Sequence, residues 1–277
     1  MKITALFVIL FFSTLAFASG DTTSAWKKDG VAGINISQIS LDNWSQGGED
    51  ALSWTFFTNM SFDYLSNNWL LKNKFKLAYG RTKLGDADYR TNDNEIYLET
   101  VLSYSLGWAV DPYFSNTIRS SVSSGFDYKK TPYLKTADFF DPGYVSQSLG
   151  FTYQKMANFN FRLGFGFQET FTSEQTFYAD DPSTAEVEKF KLETGIESVS
   201  EGKYSFEENL LFTSKLRLFS TFKEIDVWDV RWDNTLTAKV SKYVNVNLNI
   251  LVIYEKKQTP KTQLKEALQL GIVYNLF

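Results

Sequence analysis

Charged side chains recur at alternate positions along several segments of the chain. Lys72, Lys74 and Lys76 form one such run, and Glu95 and Glu99 follow on the next segment. Residues two apart in a β-strand point to the same face of the sheet, so each run predicts a charged strip on one face. Such strips either neutralise each other inside a narrow barrel or line a selective pore. The charged residues that we predict to face the interior are Lys72, Lys74, Lys76, Glu95, Glu99, Arg119, Arg162, Lys215, Arg217, Asp229, Arg231, Asp233, Glu255 and Lys265.

Some of these residues are expected to form ion pairs across hairpins. Residues at equal distances from a hairpin turn lie opposite each other, and opposite charges there stabilise the ladder by about 0.2–1 kcal/mol per pair. The pairs predicted in this way are Glu99 with Arg119, Lys215 with Asp229, and Glu255 with Lys265.

Much of enzyme chemistry is excluded by composition. The 277 residues include no histidine and no cysteine, so a Ser-His-Asp triad, an imidazole metal ligand and a thiolate nucleophile are all ruled out. We therefore expect no enzyme activity, no cofactor and no metal site. The chain has a formal net charge of −4 and not the excess of basic residues that is typical of nucleic-acid-binding proteins, so no nucleic-acid partner is expected.

The N-terminus resembles an export signal. Lys2 precedes an apolar run, and Ala16-Phe17-Ala18 matches a signal-peptidase site. We predict a cleaved signal peptide over residues 1–18, with a membrane-anchoring helix as the alternative. Residues 19–29 would then form a short periplasmic segment, and residues 30–277 a single β-barrel domain.

Alternation of apolar and polar residues with period two predicts an all-β fold. Several segments run 12–15 residues, whereas a soluble strand averages about 5–6 and a tilted membrane-spanning strand needs about 9–11. Short and long connections alternate, as in transmembrane barrels with short periplasmic turns and longer outer loops. The prediction is a transmembrane antiparallel up-and-down β-barrel of about 12 strands. The predicted strands are 30–40, 51–65, 69–82, 94–107, 112–126, 144–153, 159–170, 190–199, 204–218, 226–240, 243–255 and 264–277.

The last residues favour a membrane barrel over a soluble β-sandwich, which would show the same alternation. The chain ends in a strand with Gly271, Tyr274, Leu276 and Phe277. These residues resemble the C-terminal assembly signal of bacterial outer-membrane proteins, although Phe277 stands one place beyond the best alignment. We therefore predict location in the outer membrane, with membrane lipid and the barrel-assembly machinery as partners.

A first-loop motif resembles a family of Bacteroidota outer-membrane proteins catalogued as a domain of unknown function. The motif is Asn-Trp-x-x-Gly-Gly, formed by Asn43, Trp44, Gly47 and Gly48. The resemblance implies an outer-membrane barrel and brings no catalytic residues. Gly47 and Gly48 permit positive φ angles in this loop. Trp44 would either anchor the loop in the barrel mouth or recognise a partner or glycan.

Two functions are compatible with these features. The first is a small passive pore for ions or small solutes, favoured by outer loops too short to form a plug domain. The alternative is a closed barrel that acts as a structural or accessory subunit with another envelope protein, favoured by the dense complementary charge.

Overall fold

The computed structural model describes residues 25–43 and 45–277. The predicted signal peptide and the predicted role of Trp44 lie outside the described residues. Within those residues, no helix has the length and hydropathy needed to cross a membrane.

Twelve antiparallel strands close into one barrel, and each barrel strand pairs with the barrel strands before and after it in the chain. The first strand closes the ring against the last, and a loop outside the barrel carries a small two-stranded ribbon. The predicted up-and-down barrel of about twelve strands is thus confirmed. The strands are β1 (Ala25–Ile39), β2 (Ala51–Ser66), β3 (Trp69–Leu84), β4 (Arg90–Tyr104), β5 (Asp111–Ser120), β6 (Gly125–Asp127), β7 (Leu134–Ala137), β8 (Gly143–Met156), β9 (Phe159–Phe171), β10 (Phe190–Glu207), β11 (Leu210–Thr221), β12 (Asp229–Lys239), β13 (Val244–Tyr254) and β14 (Gln263–Asn275).

Two predicted boundaries are wrong. Residues 25–29, assigned to a segment before the barrel, belong to β1 and pair with β2. The predicted strand 112–126 ends at Ser120, because the chain there leaves the barrel wall and builds the loop that carries β6 and β7.

The predicted turn at 200–203 is also wrong. The Ser-Glu-Gly-Lys sequence has turn-forming residues, but Glu201 pairs with Asn160 of β9 on one side and Lys215 of β11 on the other. Ladders on both edges outweigh the local turn preference. The strand β10 therefore continues to Glu207, and the chain turns between β10 and β11 instead.

The barrel has an apolar exterior and a polar interior. Among the described residues only Tyr113, Ala179, Val199, Phe219 and Val273 are buried apolar residues. The buried set is otherwise polar or charged, and includes Asn35, Thr55, Glu99, Ser115, Ser148, Thr152, Arg162, Glu197 and Asn247. Large apolar side chains on the alternate positions are exposed on the outside, among them Phe56, Leu98, Phe114, Leu149, Leu163, Phe165, Trp232, Leu268 and Ile272.

The last residues of the chain contact β1 and β2 at the end of the barrel that carries the shorter turns. The Leu276 N–H donates to the Gly30 carbonyl at 2.8 Å, and the Phe277 ring packs edge-on against Phe62 with centroids 5.7 Å apart. Gly271 faces inward, where a Cβ atom would lie 2.7 Å from Asn35 Oδ1. Tyr274 points outward and is exposed. The residues of the predicted assembly signal thus form the end of the closing strand.

One carboxylate joins two loops at the opposite end. We call residues 121–142 the ribbon loop and residues 172–189 the long loop. Asp141 of the ribbon loop is buried and accepts backbone N–H donors from Ser173 at 2.9 Å and Glu174 at 2.8 Å. A third donor, the Gln175 N–H, lies 3.3 Å away. Hydrogen bonds to a charged acceptor are stronger than neutral ones, so Asp141 fixes the long loop against the ribbon loop.

We predict that Asp141→Asn releases the long loop without opening the barrel. Hydrogen bonds to charged groups contribute about 1.5–3 kcal/mol, so protease cleavage within the long loop should rise about tenfold or more. Limited proteolysis with mass mapping measures this. The matched control is Asp181→Asn, because Asp181 accepts from Ser183 within the same loop. Equal cleavage rates in both variants would show that Asp141 does not hold the loop.

Candidate functional site

Five charged side chains meet inside the barrel. Glu99 accepts from Arg162 Nη2 at 2.6 Å and from Lys215 Nζ at 2.7 Å. Glu201 accepts from Lys74 Nζ at 2.6 Å and lies 2.9 Å from Lys215 Nζ. We call Lys74, Glu99, Arg162, Glu201 and Lys215 the central cluster. Its side chains reach one another only because alternate residues of each strand point inward.

The central cluster bridges the barrel from one wall to the other. Lys215 on β11 and Glu99 on β4 are five strands apart around the ring of twelve, and so are Lys74 on β3 and Glu201 on β10. Glu99 and Arg162 are almost fully buried, with 4% and 8% of their side-chain surface exposed. Charged groups removed from water require close partners, and here every carboxylate contacts at least two cations.

Further ion pairs lie between the central cluster and the loop-bearing end. Arg231 donates to Glu95 Oε1 at 2.7 Å on the opposite wall and to Asp233 Oδ2 at 3.0 Å on its own strand. The other pairs are Arg217 with Glu197 at 2.7 Å, Lys265 with Asp93 at 2.8 Å, and Arg119 with Glu255 at 3.8 Å.

Two cavities lie along the interior. A cavity of about 60 Å³ is lined by members of the central cluster and by Tyr97, Arg217 and Arg231. A larger one of about 360 Å³, which we call the outer cavity, opens toward the loops and is lined by Asp93, Arg119 and Lys265 among others. The space therefore narrows from the loop-bearing end toward the central cluster.

The prediction of three ion pairs across hairpins is wrong, because in each case the two residues do not lie opposite each other. Arg119 lies opposite Tyr97, Lys215 opposite Asp233, and Lys265 opposite Leu251. The predicted turn centres were displaced, and a shift of register changes every partner along a hairpin. The structure instead brings the predicted residues together across the lumen, mostly between strands that are not neighbours.

Three predicted interior residues are placed apart from these pairs. Lys72 lies opposite Asp63 in the β2–β3 ladder, and Lys76 Nζ lies 5.9 Å from the Tyr97 ring centroid. Asp229 lies opposite Phe219 near the loop-bearing end. Within the described residues, none of the three has an oppositely charged group within 4.0 Å.

Two interior residues of the site, Glu201 and Tyr97, are not among those predicted from the sequence. Glu201 was assigned to a turn, although Glu193, Glu197 and Glu201 share one face of β10 and that spacing was a usable signal. The Tyr97 hydroxyl accepts from Lys215 Nζ at 2.8 Å. Tyr97 stands between Glu95 and Glu99 at alternate positions of β4, and that spacing was a usable signal for its inward placement.

Two acidic residues of the long loop, Asp181 and Glu188, accept hydrogen bonds from within that loop. The Ser183 hydroxyl and backbone N–H donate to Asp181 and lower its pKa. The Thr184 hydroxyl and the Asp181 N–H both donate to Glu188 and lower the pKa of its carboxyl, and the Thr184 hydroxyl has the larger effect. In the described part of the chain, no group of three or more acidic side chains is arranged to hold a metal ion.

The first-loop motif adopts the backbone that its glycines permit. Gly47 and Gly48 have φ angles of +80° and +118°, and Asn43 has a φ angle of +51°. The predicted use of positive φ is therefore confirmed for both glycines.

Comparison with known families supports part of the resemblance. The model of a family described as "Protein of unknown function (DUF3078)" matches residues 36–126, which include the first-loop motif and strands β2–β5. No curated protein sequence matches the chain.

Several solved structures share the barrel outline at low similarity. An outer membrane channel from Pseudomonas putida F1 has 13% identity and a TM-score of 0.41, covering 90% of this chain and 94% of that one. The translocator domain of the autotransporter NalP from Neisseria meningitidis has 9% identity and a TM-score of 0.38, covering 92% and 90%. The KdgM porin has 9% identity and a TM-score of 0.33, covering 90% and 99%.

We predict that Glu99→Gln strongly destabilises the barrel, because it leaves Arg162 and Lys215 without their shared carboxylate. Breaking a buried ion pair on one side costs about 3–5 kcal/mol. Urea unfolding in lipid vesicles, followed by tryptophan fluorescence, measures this loss. The control is Glu174→Gln, which removes the same charge from an exposed pair with Lys135 and should change stability little. Equal effects of the two substitutions would contradict a stabilising role for the central cluster.

Proposed function

We propose that the protein is an outer-membrane β-barrel with a narrow passage for small ions, closed to sugar-sized solutes. The observation that carries the proposal is the central cluster, in which ion pairs of 2.6 and 2.7 Å cross the lumen between opposite walls.

The polarity of the barrel supports a membrane setting. Exposed apolar side chains cover the outside, while the buried positions are mostly polar. A soluble barrel would bury its apolar face, whereas a transmembrane barrel turns it toward lipid. Eleven of the twelve barrel strands have 11–18 residues, and β5, the shortest, has 10. All reach the length needed to cross a bilayer at the usual tilt.

The width of the passage follows from strand number and side-chain filling. A barrel of about 8 strands is filled by side chains, and one of 16–18 leaves a wide aqueous channel. Twelve strands lie between these limits, and here long charged side chains occupy the middle. The 60 Å³ cavity at the central cluster has room for water or a small ion, but a sugar would have to displace the ion pairs.

The fixed charges that line the passage predict which ions it prefers. The 60 Å³ cavity is lined by five cations, Lys76, Arg119, Lys215, Arg217 and Arg231, and by four carboxylates, Glu95, Glu99, Glu197 and Asp233. The difference, 5 − 4 = +1, predicts weak selectivity for anions.

We predict small current steps in planar bilayers, with a reversal potential in a salt gradient that indicates weak anion preference. Lys76→Gln should reduce that preference, because Lys76 has no carboxylate within 4.0 Å among the described residues. Lys242→Gln, at a turn on the opposite rim, is the matched control. Large steps accompanied by sugar uptake into liposomes would contradict the narrow passage.

A closed barrel that serves as an accessory subunit is the second candidate. The near-complete burial of Glu99 and Arg162 favours it, because a continuous water path would expose such groups. Electrically silent wild-type protein that unfolds as a stable barrel would support this candidate and overturn the ion passage.

A further inference from the structure

The barrel closes over only part of its final seam. β1 pairs with β14 through six residue pairs, from Val31 with Asn275 to Ile36 with Leu270. Beyond Ile36, β1 continues to Ile39 against β2, and β14 extends back to Gln263 against β13. Within the described residues, Ser37–Ile39 and Gln263–Gln269 therefore have no ladder partner across this seam. We call this part of the wall the open seam.

The sequence of β1 explains why pairing stops. Ile34 and Ile36 point outward with the rest of the apolar belt, while Asn35 points inward and donates to Gln269. After Ile36 the pattern inverts, so that Gln38 points outward and Ile39 inward. Continued pairing would place polar side chains of β1 on the outer face beside β14. Because a strand face must match its surroundings, the inversion disfavours closure.

The edge of β14 at the open seam is exposed on its outer side. Leu264 and Leu268 have 63% and 68% of their surface exposed. Unpaired backbone groups cost several kcal/mol each in hydrocarbon, so this edge needs water or a polar ligand beside it. At the open seam, the apolar outer surface therefore borders a place where water or a polar ligand can hydrogen-bond to the unpaired backbone groups.

The outer cavity lies directly inside this strand. Its lining includes Lys265 of β14 and Leu251 of β13, with Arg119 and Tyr144 on the far side. The Arg119 guanidinium lies 4.7 Å from the Tyr144 ring centroid, and within the described residues its nearest carboxylate is Glu255 at 3.8 Å. An arginine beside a ring, with its nearest carboxylate at 3.8 Å, retains N–H donors for an anion.

Volume and position together indicate the ligand class. The volume of the outer cavity, about 360 Å³, is at the small end of the range for ligand pockets. The cavity can hold a polar head group, but it cannot hold a head group together with a long acyl chain. We propose that the outer cavity binds the anionic head group of a single-chain amphiphile, whose hydrocarbon chain leaves through the open seam into lipid. This inference rests on the membrane placement in the proposed function, and not on ion conduction.

Photolabelling of the barrel in lipid nanodiscs tests the inference. The probe is dodecanoic acid with a diazirine at its methyl end, and mass spectrometry locates the labelled residues. We expect labelling concentrated on residues 264–268 and 36–39, and removed by excess unlabelled dodecanoate. Arg119→Gln should lower this labelling about tenfold, since it removes a charge-assisted contact. Lys242→Gln, at the turn on the far rim, should leave it unchanged.

A disulfide across the open seam tests the lateral route in the same protein. The chain has no cysteine, so Gln38→Cys with Leu268→Cys introduces one defined pair. Oxidation should abolish labelling at 264–268, and reduction should restore it. Ile34→Cys with Ile272→Cys is the control, because these residues are already paired.

Three results would overturn the inference. Labelling spread evenly around the belt and not removed by dodecanoate would exclude a specific site. Labelling unchanged by Arg119→Gln would exclude the head-group contact, and labelling unchanged by oxidation of the seam pair would exclude the lateral route. An electrically silent barrel with competed labelling would remove the ion passage and leave this inference standing.

Discussion

The contact of Glu99 with Arg162 and Lys215 is the interaction on which the rest of the structure depends. These groups come from β4, β9 and β11, none of which pairs with another of the three, and they meet at 2.6 and 2.7 Å. A barrel with few buried apolar residues has little hydrophobic core to hold its walls at a fixed distance. Paired charges take that place inside, and they are stable there only while each has its partners.

The same contact separates two regions of the interior. On the side of the loops, the outer cavity is lined by more exposed pairs, such as Lys265 with Asp93. At the central cluster the passage narrows to the 60 Å³ cavity. The wall itself is incomplete beside the outer cavity, where β1 and β14 stop pairing after Ile36. The ion passage that we propose runs along the axis, and the amphiphile route that we propose runs through the wall.

The architecture could be predicted from the sequence because a barrel wall imposes strict alternation. The period of two along segments such as β9 specifies strand, face and length together, and this part of the prediction is confirmed. Pairing partners could not be predicted in the same way. Glu201 lies in a stretch with good turn residues, and only the ladders to β9 and β11 keep it in a strand. The partner of Lys215 was mispredicted separately, because the centre of the following turn, between β11 and β12, was misplaced.

Contacts across the lumen were beyond sequence reasoning for a related reason. The inward position of Lys74 and Glu201 follows from alternation, but their separation of 2.6 Å depends on the diameter and stagger of the closed ring. The open seam could not be predicted from the sequence either. The inversion after Ile36 is visible there, but the point where pairing with β14 stops depends on the register of β14.

Accessibility of single spin labels along β9 in lipid tests the central claim, that the apolar face meets lipid and the charged face the interior. The outward positions Leu163, Phe165 and Phe167 should be accessible to oxygen dissolved in the bilayer. The intervening positions Gly164, Gly166 and Gln168 should be protected from it. A period of two in oxygen accessibility with this phase is the predicted result. The opposite phase, or uniform accessibility along the strand, would contradict the account.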